Sequence, residues 1–278
     1  MIVGFFSNNY VTNITIGGNV QYRNNVLINA FMNCTNFNSA VVIPDGITDM
    51  GRTFYNCTNF NQPLLIPDTV NNMYYTFYNC RQLNQPITIP NNVISMACTF
   101  HSCINFNQPI TIPNSVTNMY YTFGSARNFN QPITIPNSVT NMYLAFGYCM
   151  NFNQPVIIPN SVTDARSAFT NCINLNSQVV IGKNVTNLYQ MFYNCPNMAS
   201  NITIYSPYVT NMNSFLYMKN NSKRINIFVP NRSSTNSLLV GNRIFAGSMF
   251  GSGLLTWSVY TNYAYNSATN TYVYWNKF

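Results

Sequence analysis

The side chains that carry most acid–base and covalent chemistry are nearly missing from this chain. Of 278 residues, 12 are Lys or Arg, 4 are Asp, none is Glu and 1 is His. General acid–base catalysis draws on His, Glu, Asp and Lys, so an enzyme is not expected. Two groupings nevertheless invite a chemical reading. Cys98, His101 and Cys103 have zinc-ligand types in a C-x-x-H-x-C spacing. Cys103 belongs to an inward phase and His101 to an outward one, so the three are not expected to converge, and His101 is expected at the surface. The four carboxylates, Asp45, Asp49, Asp68 and Asp164, stand where equivalent segments carry Asn. That exchange suits turn residues, which use the same local hydrogen bonds, and not a catalytic pair. No catalytic residue, metal site or cofactor is expected.

A third grouping offers contact rather than reaction. At one outward position stand Gly51, Tyr74, Ala97, Tyr120, Tyr143, Arg166 and Tyr189, flanked by Tyr75, Tyr121, Tyr55, Tyr78 and Tyr193. Tyr with Asn gives a large contact area and adaptable hydrogen bonding at little entropy cost. Tyr74, Tyr75, Tyr120, Tyr121, Tyr143 and Tyr189 are therefore candidate ligand-binding residues. They equally suit a row that merely covers the chain or packs on a neighbouring subunit. Lys219, Lys223, Arg224, Arg232 and Arg243 form the one basic concentration. It could meet an anionic glycan or an acidic partner, or simply keep an otherwise uncharged protein soluble.

These residues are placed by a repeat, which decides the architecture before any local reading. Phe31, Phe54, Phe77, Phe100, Phe123, Phe146, Phe169 and Phe192 recur every 23 residues, each followed three residues later by Cys, except at Ala126. Ile-Pro pairs at Ile43, Ile66, Ile89, Ile112, Ile135 and Ile158 keep the same period. Within one unit, Ile110, Thr111 and Ile112 alternate in-out-in between Pro109 and Pro113, the pattern of a short strand. Val116, Met119 and Phe123 then follow at helix-like spacing. Each unit thus predicts one short strand and one helical or 3-10 return arc. A lone unit cannot bury its apolar face, so the units must stack. With strands about 4.8 Å apart, eight to nine coils give a rod or shallow arc roughly 40 Å long. The row Asn38, Asn61, Asn84, Asn107, Asn130, Asn153 and Asn176 predicts an amide ladder between coils.

Seven cysteines fall one per coil in the inward phase and are expected as free core thiols; Cys98 lies off that column and is expected to be at least half exposed. On the strand face the outward row of Val42, Leu65, Thr88, Thr111, Thr134, Ile157, Val180 and Thr203 is mostly β-branched, and its apolar members could form a concave contact face. The expected organisation is a solenoid over 1–231 with degenerate end coils, then an aromatic β-rich segment over 232–278, read as a hairpin that is either a cap or a docking module. The net charge of +8 reflects a shortage of acids, not runs of Lys or Arg, so nucleic acid is not an expected partner. Nor is membrane insertion, because no stretch reaches the roughly 18 apolar residues of a span. The opening MIVGFFSNN does not read as a signal peptide.

The phrases IPNSVTNM, FNQP and VTNMYYTFYNC, in phase over many copies between about residues 11 and 231, resemble the BspA-like leucine-rich repeats. They are also similar to repeats of mycoplasma-type surface proteins. The resemblance implies non-enzymatic extracellular recognition: adhesion to host proteins or glycans by surface or secreted proteins of bacteria and protists, with similar repeats in phage proteins. Because virion proteins leave by lysis, a phage fibre or decoration protein at the virion surface is the expected carrier. A secreted or surface-attached adhesin and a purely structural virion subunit are the alternatives. Expected partners are a host-surface protein or glycan and, through the C-terminal segment, other virion proteins or a second copy of the chain.

Overall fold

The computed structural model describes residues 25–198, 202–206, 208–212 and 214–216, together with the backbone of four later strands. Its core is a set of columns running through the stacked coils. Phe54, Phe77, Phe100, Phe123, Phe146 and Phe169 are fully buried, each stacked on the next, as are Val70, Met73 and their equivalents. Phe37 and Phe60, then Leu83, then Phe106, Phe129 and Phe152 form a second buried column beside the first. Rings in register along such a column gain packing from both neighbours, so each coil is stabilised by the two that flank it.

The return arc is not helical. It is a run of turns in which two residues per coil hold a left-handed backbone: Tyr75 (φ 57°) and Asn79 (φ 57°) in one coil, Cys98 (φ 55°) and Ser102 (φ 58°) in the next. Alternate amides therefore point in different directions. Those of Thr76, Tyr78 and Cys80 donate back within the coil to Met73, Tyr75 and Phe77, whereas those of Tyr75, Phe77 and Asn79 donate to Ala97, Thr99 and His101 of the following coil. A helical stretch this short forms poorly on its own, and the stacked neighbour supplies acceptors that a helix would leave unused. The cost of left-handed residues, about 1–2 kcal/mol each outside Gly and Asn, is offset by this inter-coil ladder.

Side chains extend the ladder. Buried Thr76, Thr99 and Thr122 donate their hydroxyls to Met50, Met73 and Met96 carbonyls of the preceding coil at 2.8–2.9 Å. The thiols of Cys57, Cys80, Cys103, Cys149, Cys172 and Cys195 donate to Phe carbonyls 26 residues back. The expected Asn ladder is present: the Oδ1 atoms of Asn38, Asn61, Asn84, Asn107, Asn130 and Asn153 each accept the backbone amide 23 residues on, at 2.7–3.0 Å.

The strands differ from expectation. Paired strands are β1 (Val156–Ile158), β2 (Val179–Ile181), β3 (Ile202–Ile204), β4 (Ile225–Val229) and β5 (Trp257–Thr261), which form one parallel sheet in that order. β6 (Tyr263–Asn266) and β7 (Thr271–Tyr274) pair antiparallel as a hairpin around the aromatic tail. In the earlier coils, residues 64–66, 87–89, 110–112 and 133–135 keep the in-out-in burial but make no ladder with one another.

The reason lies in coil spacing. Equivalent near-parallel rings report the local translation from coil to coil: 4.5 Å for Tyr55 and Tyr78 on the arc, 5.6 Å for Phe54 and Phe77, and 6.1 Å for Phe106 and Phe129 nearer the strand face. Paired strands need about 4.8 Å, so the coils fan open beyond hydrogen-bond reach on that side. Pairing begins where Gln178 and Gly182 replace the two prolines that bracket the preceding coils. A Cβ on Gly182 would stand 2.6 Å from the Pro159 carbonyl oxygen, so only glycine admits this approach.

Candidate functional site

Each outward tyrosine of the arc is set by an Asx turn. The Oδ1 atoms of Asn72, Asn118, Asn141 and Asn187 accept the amides of Tyr74, Tyr120, Tyr143 and Tyr189 two residues on, at 2.9–3.1 Å. Asp49 does the same for Gly51 and Asp164 for Arg166. Both acids are thus turn residues, as their exchange with Asn implies. The next residue in each coil is a left-handed one, which turns Tyr75 and Tyr121 outward beside Tyr74 and Tyr120.

The rings form one continuous patch. Tyr74 meets Tyr75 edge-on at 4.2 Å, Tyr75 meets Tyr78 at 5.3 Å, and Tyr78 stacks on both Tyr55 (4.5 Å) and His101 (4.8 Å). His101 meets Tyr121 at 5.3 Å, and Tyr121 meets Tyr120 and Tyr143. Arg52 lies 5.3 Å over Tyr74 at one end, and Arg166 lies 4.7 Å over Tyr143 at the other. Five of the six candidate tyrosines therefore come together, each half-buried against the others. Tyr189 stands apart and exposed beyond Arg166. Arg52 and His101 belong to the patch although the sequence pattern did not select them; their positions in phase with Tyr75 and with Tyr78 were the available signal.

Two expectations about single side chains are corrected. Cys98 is buried, 3% exposed. Burial pushes its thiol up to about 11, and the Tyr75 hydroxyl, which donates to it, opposes that shift in part. His101 is not a surface side chain but a half-buried ring in the aromatic stack, its Nδ1 buried without a partner. Burial holds it down at about 4. The column thiols are buried and raised by desolvation, so they are neutral and poor nucleophiles. Among the described residues no group of three His, Cys, Asp or Glu side chains is placed to hold a metal ion.

The patch carries little free charge. Arg166 spends its Nε and Nη2 on Asp164, with the shortest contact at 2.7 Å. Asp49 spends Oδ1 on Gly51 and Oδ2 on Asn72. Tyr120 and Tyr121 are raised by burial first, Tyr121 to about 12, so the phenols stay protonated donors at neutral pH. The basic group Lys219, Lys223, Arg224, Arg232 and Arg243 lies outside the described residues.

Stacked 23-residue coils with Phe, Cys and Asn columns make a repeat solenoid, the architecture that the resemblance to BspA-like leucine-rich repeats implies. The chain belongs to the family described as "Mycoplasma protein of unknown function, DUF285", whose profile matches residues 25–134, 68–159, 90–181 and 136–231. Among solved structures it is similar to a leucine-rich repeat protein from Bacteroides ovatus ATCC 8483, at 16% identity and TM-score 0.46 over 83% of this chain and 80% of that one. It is also similar to a leucine rich cell surface protein from Faecalibacterium prausnitzii A2-165, at 18% identity and TM-score 0.36 over 82% and 79% of the two chains. No curated protein matches.

Proposed function

We propose that the protein is a non-enzymatic recognition protein, displayed at the surface of a phage particle or of a cell, whose arc face binds a host-surface ligand. One observation carries this: the fold does not need the aromatic patch. The positions of Tyr74 and Tyr120 are held by Gly51 and Ala97 in sister coils, and those of Tyr55 and Tyr78 by Gly124 and Gly147, with the core columns unchanged. Side chains that stacking does not require, packed into one outward surface, point to a contact made with something else. The scarcity of ionisable groups and the neutral, buried thiols support binding over catalysis.

The test replaces Tyr74, Tyr120 and Tyr143 together with Ala and measures binding of the folded protein to host cells and to isolated envelopes. Binding should weaken at least about tenfold, while Asp45→Ala, exposed and outside the patch, binds as the wild type does. Undiminished binding by the triple variant would sink the reading. Copurification with virions or with cell envelopes separates the two carriers, and a structural virion subunit would copurify yet bind no host surface.

A further inference from the structure

The patch has one unspent charge, and its setting defines a ligand. Arg52 is exposed, held over Tyr74 and Tyr75 at 5.3 and 5.5 Å, and among the described residues its guanidinium has no acid and no side-chain hydrogen bond. Its planar fork of donors is thus available, and two rings lie within cation–π distance of it. At the far end Arg166 makes the same contact with a tyrosine but is neutralised by Asp164. Between them lie the rings of Tyr74, Tyr75, Tyr120, Tyr121 and Tyr143 with their phenol hydroxyls, in coils where Ala97, Cys98 and Leu144 are buried.

Resting on the recognition reading, we infer that this face binds an acidic glycan running along the solenoid axis, with one carboxylate or sulfate on Arg52 and its sugar rings against Tyr74, Tyr120 and Tyr143. Ring faces with hydroxyl donors at their rims match the mixed apolar and polar faces of sugars. Charge density argues against single-stranded nucleic acid, which carries an anion at every unit and is tracked by a line of cations. A polymer bearing an acid only on occasional units matches a single free Arg.

The test is titration calorimetry of the full chain with four probes: an octasaccharide alternating uronic acid and N-acetylhexosamine, the same octasaccharide with its carboxyls reduced to alcohols, a sulfated octasaccharide, and an oligothymidylate. The wild type should bind an acidic sugar at least about tenfold tighter than the reduced one. Arg52→Gln should erase that difference without weakening the reduced sugar, and Arg52→Lys should restore part of it. Tyr120→Ala with Tyr143→Ala should weaken both sugars. Whichever of the uronate and the sulfated sugar binds tighter names the acid. Equal binding of acidic and reduced sugars, or indifference to Arg52→Gln, overturns the inference and leaves the recognition reading standing. Oligothymidylate binding as tight as the best sugar, or no sugar binding at all, also overturns it. The recognition reading itself falls only with the triple-tyrosine result on host cells.

Discussion

His101 shows how a repeat position sets a residue's chemistry. It replaces the tyrosine of Tyr55 and Tyr78, so it inherits a stacked slot meant for a neutral ring. Gly124 leaves room for it, since a Cβ there would lie 2.8 Å from Nδ1. Burial lowers its pKa from an ordinary value near 6.5 to about 4. Between those values the unfolded chain holds a proton that the folded chain lacks, so stability falls as pH drops through this window and levels off below about 4. Thermal melts at pH 7, 5.5 and 4.5 should show the wild type losing more than His101→Tyr, which returns the column to its usual residue. Parallel losses in both proteins would mean that acid sensitivity arises elsewhere.

Among the elements, the arc rather than the strand stitches most of the coils together. Tyr75, Phe77 and Asn79 donate across to the next coil, while the strand segments of the same coils stay apart. The strand ladder begins at β1 and β2 with the amide of Val156 on Gln178 at 3.0 Å, beside Gly182. Gly182→Ala should hold these two coils apart, cost about 1–3 kcal/mol and expose the Val156 amide to hydrogen exchange. The arc amide of Phe169, bonded to Met191, should stay protected. Retained protection at Val156 would refute the role given to this glycine.

At the scale of the whole molecule, stability is a sum over neighbouring coils. Phe123 is fully buried and stacked on Phe100 at 5.6 Å and Phe146 at 5.5 Å, with Phe129 against its other side. Phe123→Ala should therefore cost about 3–5 kcal/mol, because the cavity opens between coils that cannot close independently. The Tyr120 ring lies against those of Tyr121 and Tyr143 on the outer surface, outside the core columns, so Tyr120→Ala should cost about 0.5–1.5 kcal/mol. Denaturant midpoints with unchanged slopes would measure both. Equal losses would contradict the separation of a structural core from a dispensable patch.

The sequence by itself determined the period, the inward columns, the Asn ladder and the outward Tyr row. A fixed 23-residue spacing brings equivalent residues into contact whatever path the chain takes between them. It could not determine how the coils lean on one another. Whether an Ile-Thr-Ile segment becomes a paired strand depends on a spacing of an ångström or so between two coils, set by prolines in one and Gly182 in the next. Whether Val116, Met119 and Phe123 become a helix depends on acceptors offered by the following coil, which a single-unit pattern does not contain. The burial of Cys98 and His101, the inclusion of Arg52 and the pairing of Arg166 with Asp164 were decided the same way. Side-chain environment in a solenoid is made by the coils before and after, and only the assembled stack defines them.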